Sequence, residues 1–392
     1  MVDECPRSPV EAKSETIRTE RDLRFDTLRG LFLVCMTVNH LPTELRALTD
    51  QSLGVFSAAE GFVFLSGLMA GWIYTRKLRA GGPVALWSAA VGRARRIYAW
   101  HAAAFLAAFA CVKLTEYACG CCSMDVPRLF FERPAAALGL GLTLLYQPGL
   151  LDLLPMYCAF VILLPAVLGG LESGRRGLVV SLSAAAWLAA QLAPSVDAAR
   201  TYPINTGSFN LLAWQFIFVI GVVIGHARAN GIAQVSRPSP WVLAAAASVA
   251  AYGIGVRHAH WPSLWPDALF GILLNKPALG LLRMADFGCV AYLVAAVGAR
   301  FPSALSARPV AFLGRNSLPV VATQSVAVMA LLQFPPLFAT AAGRTLVALS
   351  TVALLFAAAA AAQAMARLRA PRLTAHASPG SQAEGWGLSP TR

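Results

Sequence analysis

Apolar residues in this chain are gathered into blocks, and leucine and alanine fill runs too long and too uniform for a soluble core. A helix needs about 20 apolar residues to cross the hydrocarbon layer. The pattern predicts an all-α, polytopic integral membrane helical bundle of about ten transmembrane helices, at roughly 28–44, 53–75, 97–115, 151–169, 178–194, 211–227, 240–256, 284–300, 310–333 and 343–365. Segment 129–148 is apolar but broken by Pro134 and followed by Pro148, and segment 264–282 carries Pro266, Asp267, Lys276 and Pro277. Both read as re-entrant or interfacial pieces. Either can instead be a span, so the pattern admits nine to twelve.

Composition agrees: 57% of the 392 residues are hydrophobic and 13% charged, against roughly 25% charged in soluble domains. The formal net charge of +13 is a matter of topology. With ten spans, Arg18, Arg21 and Arg24, the run Arg76 to Arg96, Arg175 and Arg176, Arg228 and Arg237, Arg300 and Arg308, and Arg367 to Arg372 all fall on one side. That side is cytoplasmic by the positive-inside bias, with both termini there. Arg257, Lys276 and Arg283 fall on the other side and break the agreement. The basic clusters are short and juxtamembrane, so they read as contacts with lipid headgroups and not with nucleic acid.

Residues 1–22 read as a disordered cytoplasmic segment without the pattern of a signal peptide, 23–368 as the transmembrane domain, and 369–392 as a disordered tail rich in Pro, Ser, Gly and Ala. No internal repeat is visible. Cys119, Cys121 and Cys122 fall in an external connection and read as a disulfide or free thiols. A zinc site there lacks clean ligand spacing and a fourth partner.

The informative residues are the polar ones left inside apolar helices, where each is costly unless paired or wet. "RFDTLRGLFLVCMTVNHLP" puts Asp26 and Arg29 on one face at the start of the first helix, and His40, with Asn39 beside it, near the far end of the same face. Fourteen residues at 1.5 Å each separate Asp26 from His40 by about 21 Å. Asp26 and Arg29 are either a capping ion pair or the cytoplasmic mouth of a passage, and His40 is expected to face a cavity. Glu60, near the outer start of the second helix, is expected at His40's depth, where it could hold the imidazole in one tautomer. Arg93, Arg95 and Arg96 supply either positive-inside charge or phosphate-binding forks, and His101 lies just inside the same helix. Asp152 and Tyr157 sit at the outer mouth of the fourth helix. Asn205, Asn210, Trp214 and Gln215 form an amide and aromatic patch suited to a sugar, although interface anchoring explains Trp214 equally well. Arg315 and Asn316 open the ninth span, with Gln324 eight residues deeper than Asn316.

Six blocks in order, "RFDTLRGLFLVCMTVNH", "EGFVFLSG", "RRIYAWH", "LDLLPMY", "GSFNLLAWQFIFVIG" and "LGRNSLPV", resemble the OpgC family, within the wider class of acyltransferase family 3-like membrane enzymes. The resemblance implies a bacterial inner-membrane enzyme that succinylates osmoregulated periplasmic glucans, with succinyl-CoA or another acyl-CoA as cytoplasmic co-substrate and no permanently bound cofactor or metal. It implies a functional core of Asp26, Arg29, His40 and Glu60. Arg93, Arg95, Arg96, His101, Arg315 and Asn316 are then expected toward the donor, and Asp152, Tyr157, Asn205, Asn210, Trp214, Gln215 and Gln324 toward the acceptor. Gln324 stands where the family often has histidine, and an amide cannot relay a proton. His40 would deprotonate a glucan hydroxyl as it attacks the thioester. The rival classes are a secondary transporter, which should show paired repeats, and a scaffold, which would not need a shared polar cavity. Oligomeric state is not legible.

Overall fold

The computed structural model describes residues 22–119, 128–192, 203–232 and 239–369. Among them every regular element is helical, and the β-pairing is a single isolated bridge between Tyr146 and Asn205. The helices are α1 (Leu23–Asn39), α2 (Arg46–Thr49), α3 (Ala58–Cys119), α4 (Leu129–Glu132), α5 (Pro134–Leu142), α6 (Leu153–Glu172), α7 (Arg176–Leu192), α8 (Leu211–Ala229), α9 (Pro240–His258), α10 (Asp267–Leu273), α11 (Leu281–Arg300), α12 (Arg308–Arg315), α13 (Ser317–Leu331) and α14 (Ala341–Arg369). The expected disordered termini and the Cys121–Cys122 pair lie outside the described residues, as does the side chain of Cys119.

The protein is an all-α membrane bundle. By length and composition α3, α6, α8, α9, α11 and α14 suffice to cross a bilayer, and α7 and α13 are shorter apolar helices. Large apolar side chains such as Leu182 on α7 and Leu346 on α14 remain 62% and 68% exposed. An apolar exterior on this scale suits lipid.

Each expected span falls on a helix, with three adjustments. First, the stretch expected to link the second and third spans is itself helical, so that α3 is interrupted only at Gly82. Gly82 has φ of 71°, a left-handed conformation that glycine adopts without strain. Pro83 follows it, where a new helix tolerates a missing N–H. Second, α1 stops at Asn39, leaving His40 as its C-cap and outside the helix. The cause is Pro42, which has no amide proton to donate and restricts the residue before it. Third, the ninth span divides at Asn316 into α12 and α13. Segment 129–148 is short helices restarted at Pro134, and segment 264–282 is α10 followed by an irregular strap.

Small residues let the central helices touch. A methyl group on Gly67 or Gly71 of α3 would strike the backbone carbonyls of Phe218 or Val222 on α8, and one on Gly221 or Gly225 would strike those of Phe64 or Leu68. Such close backbone contact is the main packing force between helices surrounded by lipid. The core runs from this seam through Phe62, Phe105, Phe160, Leu164, Trp214 and Phe218.

Candidate active site

α1 carries Arg29, Leu33 and Met36 at spacings of four and three, and its C-cap His40, four residues on, continues the stripe. α13 carries Ser317, Val321 and Gln324 in the same way. The two stripes share a polar pairing at one end and a cavity at the other. At the first end the Arg29 guanidinium donates to Ser317 Oγ at 2.6 Å and lies 5.6 Å from the centre of the Phe62 ring. Asp26 is fully buried and is paired with Arg315 at 3.3 Å. Asn316 closes α12 by donating to the Phe312 carbonyl at 2.9 Å.

At the other end lies a cavity of about 570 Å³, within the range of small-molecule sites. Its walls include His40, Asn39, Asp152 and Gln324, together with Arg46, Asp50, Gln51 and Lys276. His40 is open to the cavity, and its ring makes no hydrogen bond among the described residues. The Lys276 and Arg46 charges stand near it. Asn39 holds the loop above the cavity, accepting from Thr49 Oγ at 2.5 Å and donating to the Thr49 carbonyl at 3.2 Å. The Gln324 side-chain oxygen has no hydrogen-bond partner among the described residues. The Asp152 carboxylate does not cap α6 but accepts the Ser208 N–H at 2.8 Å.

Backbone strain is concentrated here. Gln51 and Leu150, both in the cavity wall, have φ of 56° and 76°, and Leu279, two residues beyond Pro277 of the wall, has φ of 53°. Left-handed conformations cost non-glycine residues energy and collect at functional sites. Leu150 is pinned by Ser325 Oγ, which donates to its carbonyl at 2.6 Å.

A family model described as OpgC protein matches residues 21–367. The chain belongs to the OpgC family. No curated protein and no solved structure matches. Membership in the OpgC family makes the protein, in general terms, a glucan-modifying membrane acyltransferase.

Several expected site residues do other work in this OpgC-family chain. Glu60 does not orient His40. Its carboxylate accepts from the Ser57 N–H at 3.0 Å, from Ser57 Oγ at 2.6 Å and from Arg283 Nε at 3.0 Å. Trp214 is not a sugar platform: it is fully buried, and its indole N–H donates to the Pro277 carbonyl at 3.1 Å. Gln215 is tied to Ser183, and Asn210 caps α8 through the Leu212 and Ala213 amides. Asn205 bridges to Tyr146 and accepts the Gly207 N–H at 3.0 Å. Tyr157 is buried against Phe62 and Phe160, and His101 is buried against Gly141 and Phe105. Arg93 is half-buried beside Tyr74, while Arg95 and Arg96 are exposed.

Lys276 was not expected in the site. The strap that carries it is held by four donors from α7 and α8. Trp214 and the Asn210 N–H both donate to the Pro277 carbonyl, Gln191 donates to the Ala278 carbonyl, and Trp187 donates to the Leu279 carbonyl at 2.9 Å. The only signal in the sequence was a lysine among prolines on the side that topology leaves poor in cations.

Proposed function

We propose that the protein transfers a succinyl or similar acyl group from a cytoplasmic acyl-CoA to a hydroxyl of a periplasmic glucan, in the bacterial inner membrane, with both termini cytoplasmic and His40 as general base. The observation that carries this reading is the His40 ring, without a hydrogen bond among the described residues, at the wall of a cavity of about 570 Å³ in an OpgC-family chain. A sugar hydroxyl in that cavity would give its proton to the imidazole as its oxygen attacks the thioester carbonyl. The new C–O bond forms, the C–S bond breaks, and the proton passes from imidazolium to the departing CoA sulfur. The products are a glucan ester and free CoA. Gln324 Oε1 is an acceptor that a sugar hydroxyl would satisfy, and the Asp152 carboxylate, which accepts the Ser208 N–H, lies in the same wall.

The donor would enter along the Arg29 to His40 stripe, about 16 Å long. The guanidiniums of Arg29 and Arg315 would lie near its phosphates. Leu33, Met36 and Phe62 fill the interior of that route, so entry of the thioester requires them to move aside. Mass spectrometry of periplasmic glucans from a deletion strain, with and without this gene restored, is the direct test. Glucans of identical mass and charge in both strains would refute the acceptor. For the base, His40→Gln should lower transfer by about 10²-fold or more while leaving the protein folded, and normal turnover by the purified variant would remove His40 from the role.

A further inference from the structure

The cavity wall holds a cation that forms no close pair among the described residues. Lys276 is exposed there and makes no ion pair or side-chain hydrogen bond among the described residues, although its charge acts on Asp152 and Glu60. The acids near it are bonded to other groups. Asp50 pairs with Arg257 at 3.3 Å and Arg46 at 3.9 Å, Asp152 accepts the Ser208 N–H, and Glu60 is bound by Arg283 and Ser57. Lys276 is also not on a casual loop. The three carbonyls that follow it, those of Pro277, Ala278 and Leu279, are each held by a side-chain donor from α7 or α8. Leu279 is itself fully buried in a left-handed conformation. A backbone so constrained fixes where the lysine stem begins, and a fixed charge in a walled cavity interacts more strongly with a ligand's charge than one in bulk water.

From this we infer that Lys276 reads a carboxylate on the transferred acyl group, so that the enzyme selects a dicarboxylic half-thioester over a neutral acyl chain of similar length. The inference rests on the acyl-transfer reading above. It goes further in naming the residue that selects the acyl group. A neutral acyl group would leave the ammonium facing an apolar chain, whereas a terminal carboxylate supplies a charge-assisted hydrogen bond. Lys276 touches the end of the acyl group remote from the thioester, and the reacting carbon stays with His40.

The test uses full-length protein in detergent, with glucan extracted from a deletion strain as acceptor. Succinyl-CoA and butyryl-CoA are the donors, followed by release of the CoA thiol and by glucan mass. Wild type should prefer succinyl-CoA, and Lys276→Gln should lower the ratio of the two kcat/KM values by about 10- to 100-fold, the worth of a hydrogen bond to a charged group. Lys276→Arg keeps the charge and should keep most of the ratio. If Lys276→Gln slows both donors equally, the lysine serves the developing oxyanion or the fold, and the inference falls. An unchanged ratio with unchanged rates overturns it equally. Should Lys276→Gln fail to fold, equal use of the two donors by wild type overturns it without any variant. Wild type that transfers neither acyl group while remaining folded would refute the acyl-transfer reading itself, a result separate from a lost preference.

Discussion

Removing Glu60 separates two accounts of a buried acid. If it oriented His40, Glu60→Gln would cut turnover with little effect on folding. The structure assigns it instead to the joint between α3 and α11. Glu60 is fully buried and Arg283 is 3% exposed, and they are joined by two guanidinium hydrogen bonds, with Ser57 filling the other carboxylate oxygen. Removing one partner strands the other charge away from water, which costs about 3–5 kcal/mol, whereas replacing both with apolar residues of similar volume is often neutral. Glu60→Leu should therefore unfold several degrees below wild type in detergent. Arg283→Met should do the same, and the double variant Glu60→Leu, Arg283→Met should recover most of the loss. Thermal unfolding of the four proteins closes the cycle. Specific activity per folded molecule should follow the recovered stability of the double variant. Single variants that melt like wild type, or losses that simply add, would refute the structural assignment.

A further outcome follows from the same geometry. Trp214→Phe keeps an aromatic ring, smaller than the indole, but removes the Pro277 hydrogen bond. It should lower preference for succinyl-CoA and thermal stability, and it should leave sugar affinity near wild type, measurable by titration with glucan oligosaccharides.

Periodicity and run length carried most of the fold, because apolar blocks of about twenty residues have one low-energy arrangement in lipid. Local chemistry also carried the end of α1, since Pro42 is visible in the sequence, although its meaning for His40 is not: the histidine caps the helix instead of lying within it. What escaped was pairing across long separations. Glu60 finds Arg283 223 positions away, and no local pattern distinguishes that partner from His40. Trp214 with its neighbouring amides has the chemistry of a sugar site, but packing turned the indole inward to hold a carbonyl. Lys276 looked like an exception to the charge rule for topology, because only the strap brings it to the cavity.

The division between paired and unpaired polar groups locates the site better than polarity does. A buried polar group in a membrane protein costs several kcal/mol unless something satisfies it. Most of this chain's candidates are satisfied internally: Glu60 by Arg283 and Ser57, Asp26 by Arg315, Gln215 by Ser183, Trp214 by Pro277. Those residues hold helices together, and their chemistry is already spent. Among the described residues the His40 ring, the Lys276 ammonium and the Gln324 oxygen make no hydrogen bond, and all three face one cavity, whereas other unbonded buried atoms, such as Trp72 Nε1 and Asp286 Oδ1, lie away from it. A base, a cation and a hydrogen-bond acceptor without internal partners are complementary to a ligand that brings a hydroxyl and a negative charge. An acidic acyl group meeting a sugar hydroxyl brings both.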